Sequence, residues 1–280
     1  MTNPALLPGG TAVITGSASG IGLAAACRFA ELGLNVVLSD RPGPALDRAR
    51  DAATALAASP AQILAVPADV SRPDDLQALQ QAAFERFGGV SVLMNNAAIG
   101  ADPGKPWENL EGWRTLMEIN LWGAIHGVQA FTKAMLASGK PALIINTGSK
   151  QGITLPPGNS AYNVSKAGLK AYTELLAHEL REAGGSISAH LLIPGFTHTG
   201  MTGSVDKPDA AWTARQVVDF MLDSIERGDF YILCPDNAVP RHVDERRMRW
   251  TVGDIIENRP ALSRWHPDYT EEFARFMQSE

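Results

Sequence analysis

From residue 11 to about 234, short runs of β-branched and aliphatic residues alternate with longer stretches whose apolar positions recur every three to four residues. A strand buried on both faces reads as a continuous apolar run, whereas a helix covering a sheet needs only one apolar stripe. The alternation therefore predicts parallel strands joined by crossover helices. Strands are expected at 11–15 (TAVIT), 35–39 (NVVLS), 62–66, 90–94 (VSVLM), 142–147 (ALIINT), 187–193 (ISAHLLI) and 230–234. Helical patterns fall between them at 20–32, 43–58, 73–87, 107–138 with a break, 160–183 and 211–227, and Gly33, Gly88 and Gly184 are C-terminal stops. Residues 1–240 thus read as one doubly wound α/β domain of the Rossmann type, a parallel sheet of seven strands.

The pattern changes at Arg241. Residues 241–280 hold 15 charged residues in 40, with Met248, Val252, Ile255 and Ile256 on one helical face and Tyr269, Phe273, Phe276 and Met277 on another. This segment reads as a C-terminal helical extension. Trp250, Trp265, Tyr269, Phe273 and Phe276 are too many large aromatics for a free polar tail, since burying one such side chain is worth about 1.5–3 kcal/mol. Docking is expected, either on its own subunit or across to a partner.

Composition narrows the partners. Apolar residues make up 45% and charged residues 19% of the 280, an ordinary globular balance, and 24 basic against 30 acidic residues leave a net charge of −6. No basic cluster precedes the tail, so there is no electrostatic footprint for nucleic acid or an anionic membrane, and a small-molecule partner is the default. Cys27 and Cys234 sit among apolar neighbours and form neither a disulfide framework nor a CxxC metal site. Without a basic leader at Met1–Gly10 or an apolar run of about 18 residues, a cytoplasmic protein with no membrane span is expected.

The first strand runs into Thr15-Gly16-Ser17-Ala18-Ser19-Gly20-Ile21-Gly22, where a helix begins inside the glycine motif. Its first turn presents free N–H groups and the positive end of the helix dipole, a seat for a pyrophosphate. Gly16 permits the tight turn, Gly20 a close backbone approach to phosphate, and Gly22 close packing of helix on strand. A glycine-rich βα turn without a ligand is the plainer alternative. The second strand ends at Asp40, whose carboxylate can accept the ribose hydroxyls of NAD and repel the 2′-phosphate of NADP. Arg41 could instead pair with that phosphate, or stack on adenine. Ser19 stands where a basic residue would favour NADP, so NAD is preferred; Asp40 could also merely cap the turn before Pro42.

Of four tyrosines only Tyr162 is followed four residues later by lysine, Lys166, a spacing that puts both side chains on one helix face. A neighbouring ammonium and a nicotinamide cation would both favour the phenolate, lowering a pKa that is ordinarily about 10 toward neutrality. Taken alone, the pair could equally be a surface helix pair. Ser149 closes the fifth strand, where open α/β sheets place ligands, and its hydroxyl can meet a reacting oxygen.

With these motifs the sequence resembles the classical short-chain dehydrogenase/reductase family over residues 11 to about 235, by TGxxxGxG spacing and by Tyr162-Asn163-Val164-Ser165-Lys166. The resemblance implies an oxidoreductase that moves hydride between a secondary alcohol or ketone and a nicotinamide. In that reading Tyr162 is the acid/base, Lys166 lowers its pKa and anchors the ribose, and Ser149 holds the substrate oxygen. Asn120, in Met117-Glu118-Ile119-Asn120, matches the asparagine that holds a water leading from the lysine to solvent; alone it would read as a helix kink. Asp69-Val70 matches the adenine contact. Asn95-Asn96-Ala97-Ala98 stands for NNAG, with Ala98 replacing the glycine and Asn96 and Ala97 at the cofactor. Pro194-Gly195-Phe196-Thr197-His198-Thr199 resembles PGxxxT, in which Thr197 binds the carboxamide and Thr199 adds a side-chain contact. His198 is read as a solvated loop residue, and the histidines form no metal-ligand pair.

The resemblance also implies a homodimer or homotetramer built on helix pairs and the edge strand 230–234. An NADPH-dependent carbonyl reductase is the alternative, and a nucleotide sensor that keeps the fold without catalysis a remoter one. Ile153, Leu155, Phe196, Met201 and Trp107 are expected at the substrate mouth and lean toward an apolar or aromatic alcohol, while Lys150 and Gln151 could reach a polar or anionic group. The segment from Thr199 to Trp212 is short for a lid, so residues 241–280 are expected to cross a subunit interface and help cover the site.

Overall fold

The computed structural model describes residues 2–184, 186–202 and 206–278. The chain winds through β1 (Thr11–Thr15), α1 (Gly20–Glu31), β2 (Asn35–Asp40), α2 (Pro44–Thr54), β3 (Ile63–Pro67), α3 (Pro73–Phe87) and β4 (Val92–Asn95). It continues through α4 (Leu110–Met117), a π-helical turn (Glu118–Trp122), α5 (Gly123–Ser138), β5 (Ala142–Thr147), the single turn α6 (Gln151–Thr154), α7 (Ser160–Glu182) and β6 (Ile187–Ile193). The short pair β7 (Thr197–His198) and β8 (Trp212–Thr213) precedes α8 (Ala214–Glu226) and β9 (Tyr231–Leu233). Seven strands form one parallel sheet in the order β3-β2-β1-β4-β5-β6-β9.

Side chains of alternate strand residues feed two cores. Ile14, Leu38 and Met94 pack under Phe29 of α1, Ala49 of α2 and Met221 of α8. Val13, Val37, Leu93 and Ile144 face the other way, under Leu79 of α3 and Phe131 and Met135 of α5. Strand order reverses at β1, which pairs with β2 on one side and β4 on the other, and the crevice at the carboxyl ends of these strands is where such sheets bind ligands.

Several expected elements are shifted, among them the helix at 43–58, which ends at Thr54, and three others have a visible local cause. The fourth strand begins at Val92 rather than residue 90, because the Ser91 hydroxyl donates to the Ala5 carbonyl (2.8 Å) and accepts from Thr11 N–H (3.1 Å), tying the approach to the N-terminal segment. The break in 107–138 is the π turn, and the helix before it starts only at Leu110, capped by Asn109. The expected helix start at 211 is taken by β8; α8 begins at Ala214 behind a capping box of Thr213 and Gln216.

The tail folds as α9 (Arg241–Ile256), two short 3-10 turns and α10 (Thr270–Gln278). Trp250 is its buried centre. Phe273 and Phe276 meet the indole with ring centroids 5.3 and 5.2 Å away, and Nε1 donates to the Ser263 hydroxyl at 2.8 Å. The Arg259 guanidinium lies 3.9 Å from the indole centroid and pairs with Asp254 at 3.1 Å. Met248 packs on Leu191 and Ile193 of β6 and Leu233 of β9. One face of α9 thus packs on its own chain, while Val252, Ile255 and Ile256 are exposed.

Candidate active site

One cavity of about 660 Å³ opens over the carboxyl ends of the strands. At one end it is built from backbone. Gly16 and Gly20 take the left-handed conformation (φ 67° and 56°), which other residues adopt with difficulty, and so turn the chain from β1 into the first turn of α1. A Cβ on Gly22 would stand 2.3 Å from the Gly16 carbonyl oxygen, so only glycine lets the helix sit this close to the strand. The Asp40 carboxylate receives N–H donors from Ala18 (2.9 Å) and Arg41 (2.8 Å), fixing it beside the glycine turn. Asp69 accepts from the Ser71 hydroxyl (2.7 Å) and N–H (3.0 Å), and these bonds hold its carboxyl below the usual range.

Asparagines join the two ends. Asn96 Nδ2 donates to the carbonyls of Thr15 (3.2 Å) and Gly16 (3.1 Å), and its Oδ1 accepts from the Thr147 hydroxyl (3.3 Å), so one side chain ties β1, β4 and β5 together. Beneath it, Asn95 Nδ2 donates to Asn146 Oδ1 (2.9 Å), and Asn146 Nδ2 donates to the Thr173 hydroxyl (3.0 Å). Asn120, in the π turn, clamps the backbone of Ile99: Oδ1 accepts from Ile99 N–H (2.8 Å) and Nδ2 donates to its carbonyl (3.0 Å). The irregular turn thus serves to aim one side chain, a use to which π turns are often put.

At the other end Tyr162 and Ser149 both line the cavity. The Lys166 ammonium is buried, donates to the Thr147 carbonyl at 2.8 Å, and lies 5.8 Å from the centre of the Tyr162 ring. Burial pushes the lysine down to about 8. Burial also pushes the Tyr162 phenol above its ordinary value, while the Ser149 hydrogen bond pulls it down. The expected lowering of the phenol is thus not produced by the chain alone, because desolvation outweighs the opposing pull of the Ser149 hydroxyl.

Of the residues singled out from sequence, the cavity is lined by Gly16, Ser19, Gly20, Ile21, Asp40, Arg41, Asp69, Val70, Asn96, Ala97, Ser149, Tyr162, Lys166, Pro194, Gly195, Thr197 and Thr199. Thr15, Ser17, Gly22 and Asn120 lie behind that surface. The Thr15 hydroxyl accepts from Asn96 N–H (3.1 Å), and the Ser17 hydroxyl donates to the Ser39 carbonyl (3.2 Å), so both shape the turn rather than face a ligand. Three expected mouth residues are corrected. Trp107 is 79% exposed under Lys105, Ile153 packs on the Leu191 cluster, and Leu155 ends α6 in the left-handed conformation; none lines the cavity, whereas Phe196 and Met201 do. Sequence reasoning missed Asn159, which caps α7 by accepting from Tyr162 N–H (3.2 Å), and Asp236, which accepts from Phe196 N–H (3.1 Å). An Asn directly before a helical pattern is a cap signal and could have revealed the first.

The short chain dehydrogenase family matches residues 10–210 of this chain. The chain belongs to that family. As a short chain dehydrogenase it is an oxidoreductase, and its relatives share most of its length. It is 35% identical over 261 residues to 1-deoxy-11-beta-hydroxypentalenate dehydrogenase of Streptomyces exfoliatus, covering 91% of this chain and 93% of the relative. It is 35% identical over 193 residues to 3beta-hydroxysteroid dehydrogenase 1 of Eggerthella lenta, covering 69% and 72%. The crystal structure of a short chain dehydrogenase/reductase from Burkholderia phymatum in complex with NAD superposes with a TM-score of 0.82 at 31% identity, over 93% of this chain and 98% of that one. No described helix of this dehydrogenase is long and apolar enough to cross a membrane.

Proposed function

We propose that the protein is an NAD(H)-dependent oxidoreductase acting on a bulky, largely apolar secondary alcohol or the corresponding ketone, with Tyr162 as general acid/base. The observation that carries this reading is that Ser149, Tyr162 and buried Lys166 line the same cavity as the glycine turn and Asp40. Residues 16–21, Asp40, Arg41, Asp69, Val70, Asn96, Ala97, Thr197 and Thr199 would hold the dinucleotide, which fits a site of backbone donors at a helix start with a fixed carboxylate alongside. The bound nicotinamide supplies or accepts the hydride.

The chain's own groups do the rest. Ser149 holds the substrate oxygen against the phenol, and Tyr162 takes or gives the proton there. Lys166, held by the Thr147 carbonyl, keeps a positive charge near that proton, and Asn120 fixes the Ile99 wall of the cavity. NAD over NADP is supported by Asp40, whose carboxylate is locked beside Ala18, and by NAD in the similar Burkholderia protein. A bulky substrate is supported by Ile99, Ile119, Phe196 and Met201 in the lining, and by relatives named for a hydroxypentalenate and a hydroxysteroid. Cyclic secondary alcohols tested with NAD and with NADP, followed by absorbance of the reduced nicotinamide, should give turnover with NAD. Turnover with NADP alone would replace this reading by the NADPH-dependent reductase.

A further inference from the structure

Ser149 is carried by a very short element. Its hydroxyl accepts from Gln151 N–H (3.1 Å) and its carbonyl from Gly152 N–H (3.0 Å), and α6, which follows, is a single turn of four residues. One helical turn makes too few hydrogen bonds to hold its own shape, so the aim of this hydroxyl depends on what packs around the turn. On one side Gly152 presses on α7, where a Cβ would stand 2.6 Å from the Lys166 carbonyl carbon. On the other, Lys150 reaches across to the C-terminal extension.

Lys150 Nζ lies 2.5 Å from Asp244 Oδ2, in the first turn of α9, and 3.2 Å from Asp236 Oδ2, on the loop after β9. The lysine side chain is 15% exposed and each acid 4%. Asp236 also accepts from the backbone N–H groups of Phe196 (3.1 Å), Ala238 (3.1 Å) and Val239 (2.7 Å). Burial pushes the Asp244 carboxyl above its usual range, and Lys150 and Arg247 pull it back. With Arg247 and Arg264 acting on Asp244 from the tail side, the two carboxylates are compensated, and the cluster works as a tie between segments. It joins the Ser149 turn, the loop at 194–196 and α9. The first two line the cavity, and the loop runs directly over the tie: a Cβ on Gly195 would stand 2.6 Å from Asp236 Oδ2 and 2.9 Å from Lys150 Nζ.

We propose that Asp244 is a positioning residue: through Lys150 it fixes the aim of the Ser149 hydroxyl, and together with Asp236 it fixes the loop at Phe196, so that the C-terminal extension is part of the working site. Asp244 itself lies behind the cavity surface and acts only through Lys150. The glycine turn and Asp40 are held by other partners, Asn96 and the Ala18 and Arg41 N–H groups, so the effect is confined to the Ser149 end. This rests on the oxidoreductase reading for its kinetic test but on the ion cluster for its content. Reduction of decalone, a bicyclic ketone, by NADH is compared in the wild type, Asp244→Ala, Asp244→Asn and Lys150→Gln/Asp244→Ala. Met248→Ala is the control, since Met248 anchors the same helix on β6 and β9 through apolar packing alone.

Asp244→Ala should lower kcat by about 10- to 10²-fold, since misplacing a reacting group by about 1 Å can cost about 10²-fold, while NADH affinity stays within a few-fold. Asp244→Asn, whose amide oxygen still accepts from the ammonium, should recover most of that loss. The double variant should match Asp244→Ala, because the two residues act as one tie. Met248→Ala should melt earlier and keep its kcat. An unchanged kcat in Asp244→Ala, losses that multiply in the double variant, or a fall in kcat that Met248→Ala shares overturns the proposal. Hydrogen exchange at the Gly152 and Phe196 N–H groups reads the same tie without turnover. Asp244→Ala should speed it by about 2- to 10-fold, the scale of one net hydrogen bond, and Met248→Ala should not. If the wild type reduces no decalone, the oxidoreductase reading loses support while the exchange rates still decide the tie, and unchanged exchange in Asp244→Ala overturns it.

Discussion

The two ends of the cavity are built by different means. At the Asp40 end most determinants are backbone conformation and close neighbours within residues 15–41, a glycine turn, a helix start and a carboxylate held by Ala18 and its own successor Arg41, with Asn96 tying the turn from β4. At the Ser149 end they come from far apart in sequence: Ile99 clamped by Asn120, Ser149 against Tyr162, and Lys150 held by Asp236 and Asp244. A backbone-built end tolerates no added atoms. An end built from long-range side-chain pairs is adjustable one charge at a time, which suits the part of an enzyme that must differ between substrates.

The sharpest way to break this contrast is Gly22→Ala. The new methyl meets the Gly16 carbonyl oxygen, which is backbone and cannot turn aside, so a stability loss of about 2–3 kcal/mol and at least tenfold weaker NAD binding are expected. Gly89→Ala, where a Cβ meets nothing within 4 Å, should be silent in the same thermal melts and binding titrations. Equal behaviour of the two variants would show that the turn is not sterically set.

Lys166→Met probes the opposite end and should separate stability from activity. The buried ammonium, depressed to about 8 from an ordinary 10.5, burdens the folded state by about 3 kcal/mol at pH 7, offset by about 1 kcal/mol from the bond to Thr147. The variant should therefore be inactive yet more stable by about 2 kcal/mol at pH 7. The sign of the pH dependence follows from proton counting: between about pH 8 and 10.5 the unfolded chain binds the proton that the folded chain has released, so wild-type stability gains on the variant there. Denaturant melts at pH 7 and pH 10 check it. A variant less stable at pH 7 would contradict the burial account.

The smallest effect expected is at Asp40. Asp40→Ala should shift the NADP-to-NAD ratio of kcat/KM upward by about tenfold, since it removes one charge from a partly solvated ribose site. Equal loss with both cofactors would make the carboxylate a cap for the Ala18 and Arg41 N–H groups and nothing more.

The same contrast explains what was legible in the sequence. The sheet was, because buried parallel strands write themselves as apolar runs such as Val36–Leu38 and Ala142–Ile145. So was the glycine turn, whose geometry depends on residue type at each position. The Ser149–Tyr162–Lys166 group was legible as a spacing, but the upward push on Tyr162 was not, because burial is a property of the assembled core. Trp107 and Ile153 misled because an apolar residue near a site in sequence can point into solvent or into another cluster. The Lys150–Asp244 pair was invisible: nothing local distinguishes Asp244 from other acids of a charged helix, and the contact comes only from the approach of α9 to the Ser149 turn.

The central claim, that Tyr162 moves the proton in a cavity which independently holds a nicotinamide dinucleotide, is tested most directly by Tyr162→Phe. Turnover of a cyclic secondary alcohol and the affinity for NADH, read by nucleotide fluorescence, are measured on the same preparation. Turnover should fall by about 10²- to 10⁴-fold, the range typical of acid/base groups, with NADH affinity kept within a few-fold. A variant that retains more than about a tenth of the wild-type rate, or loses cofactor binding and turnover in parallel, would contradict the account.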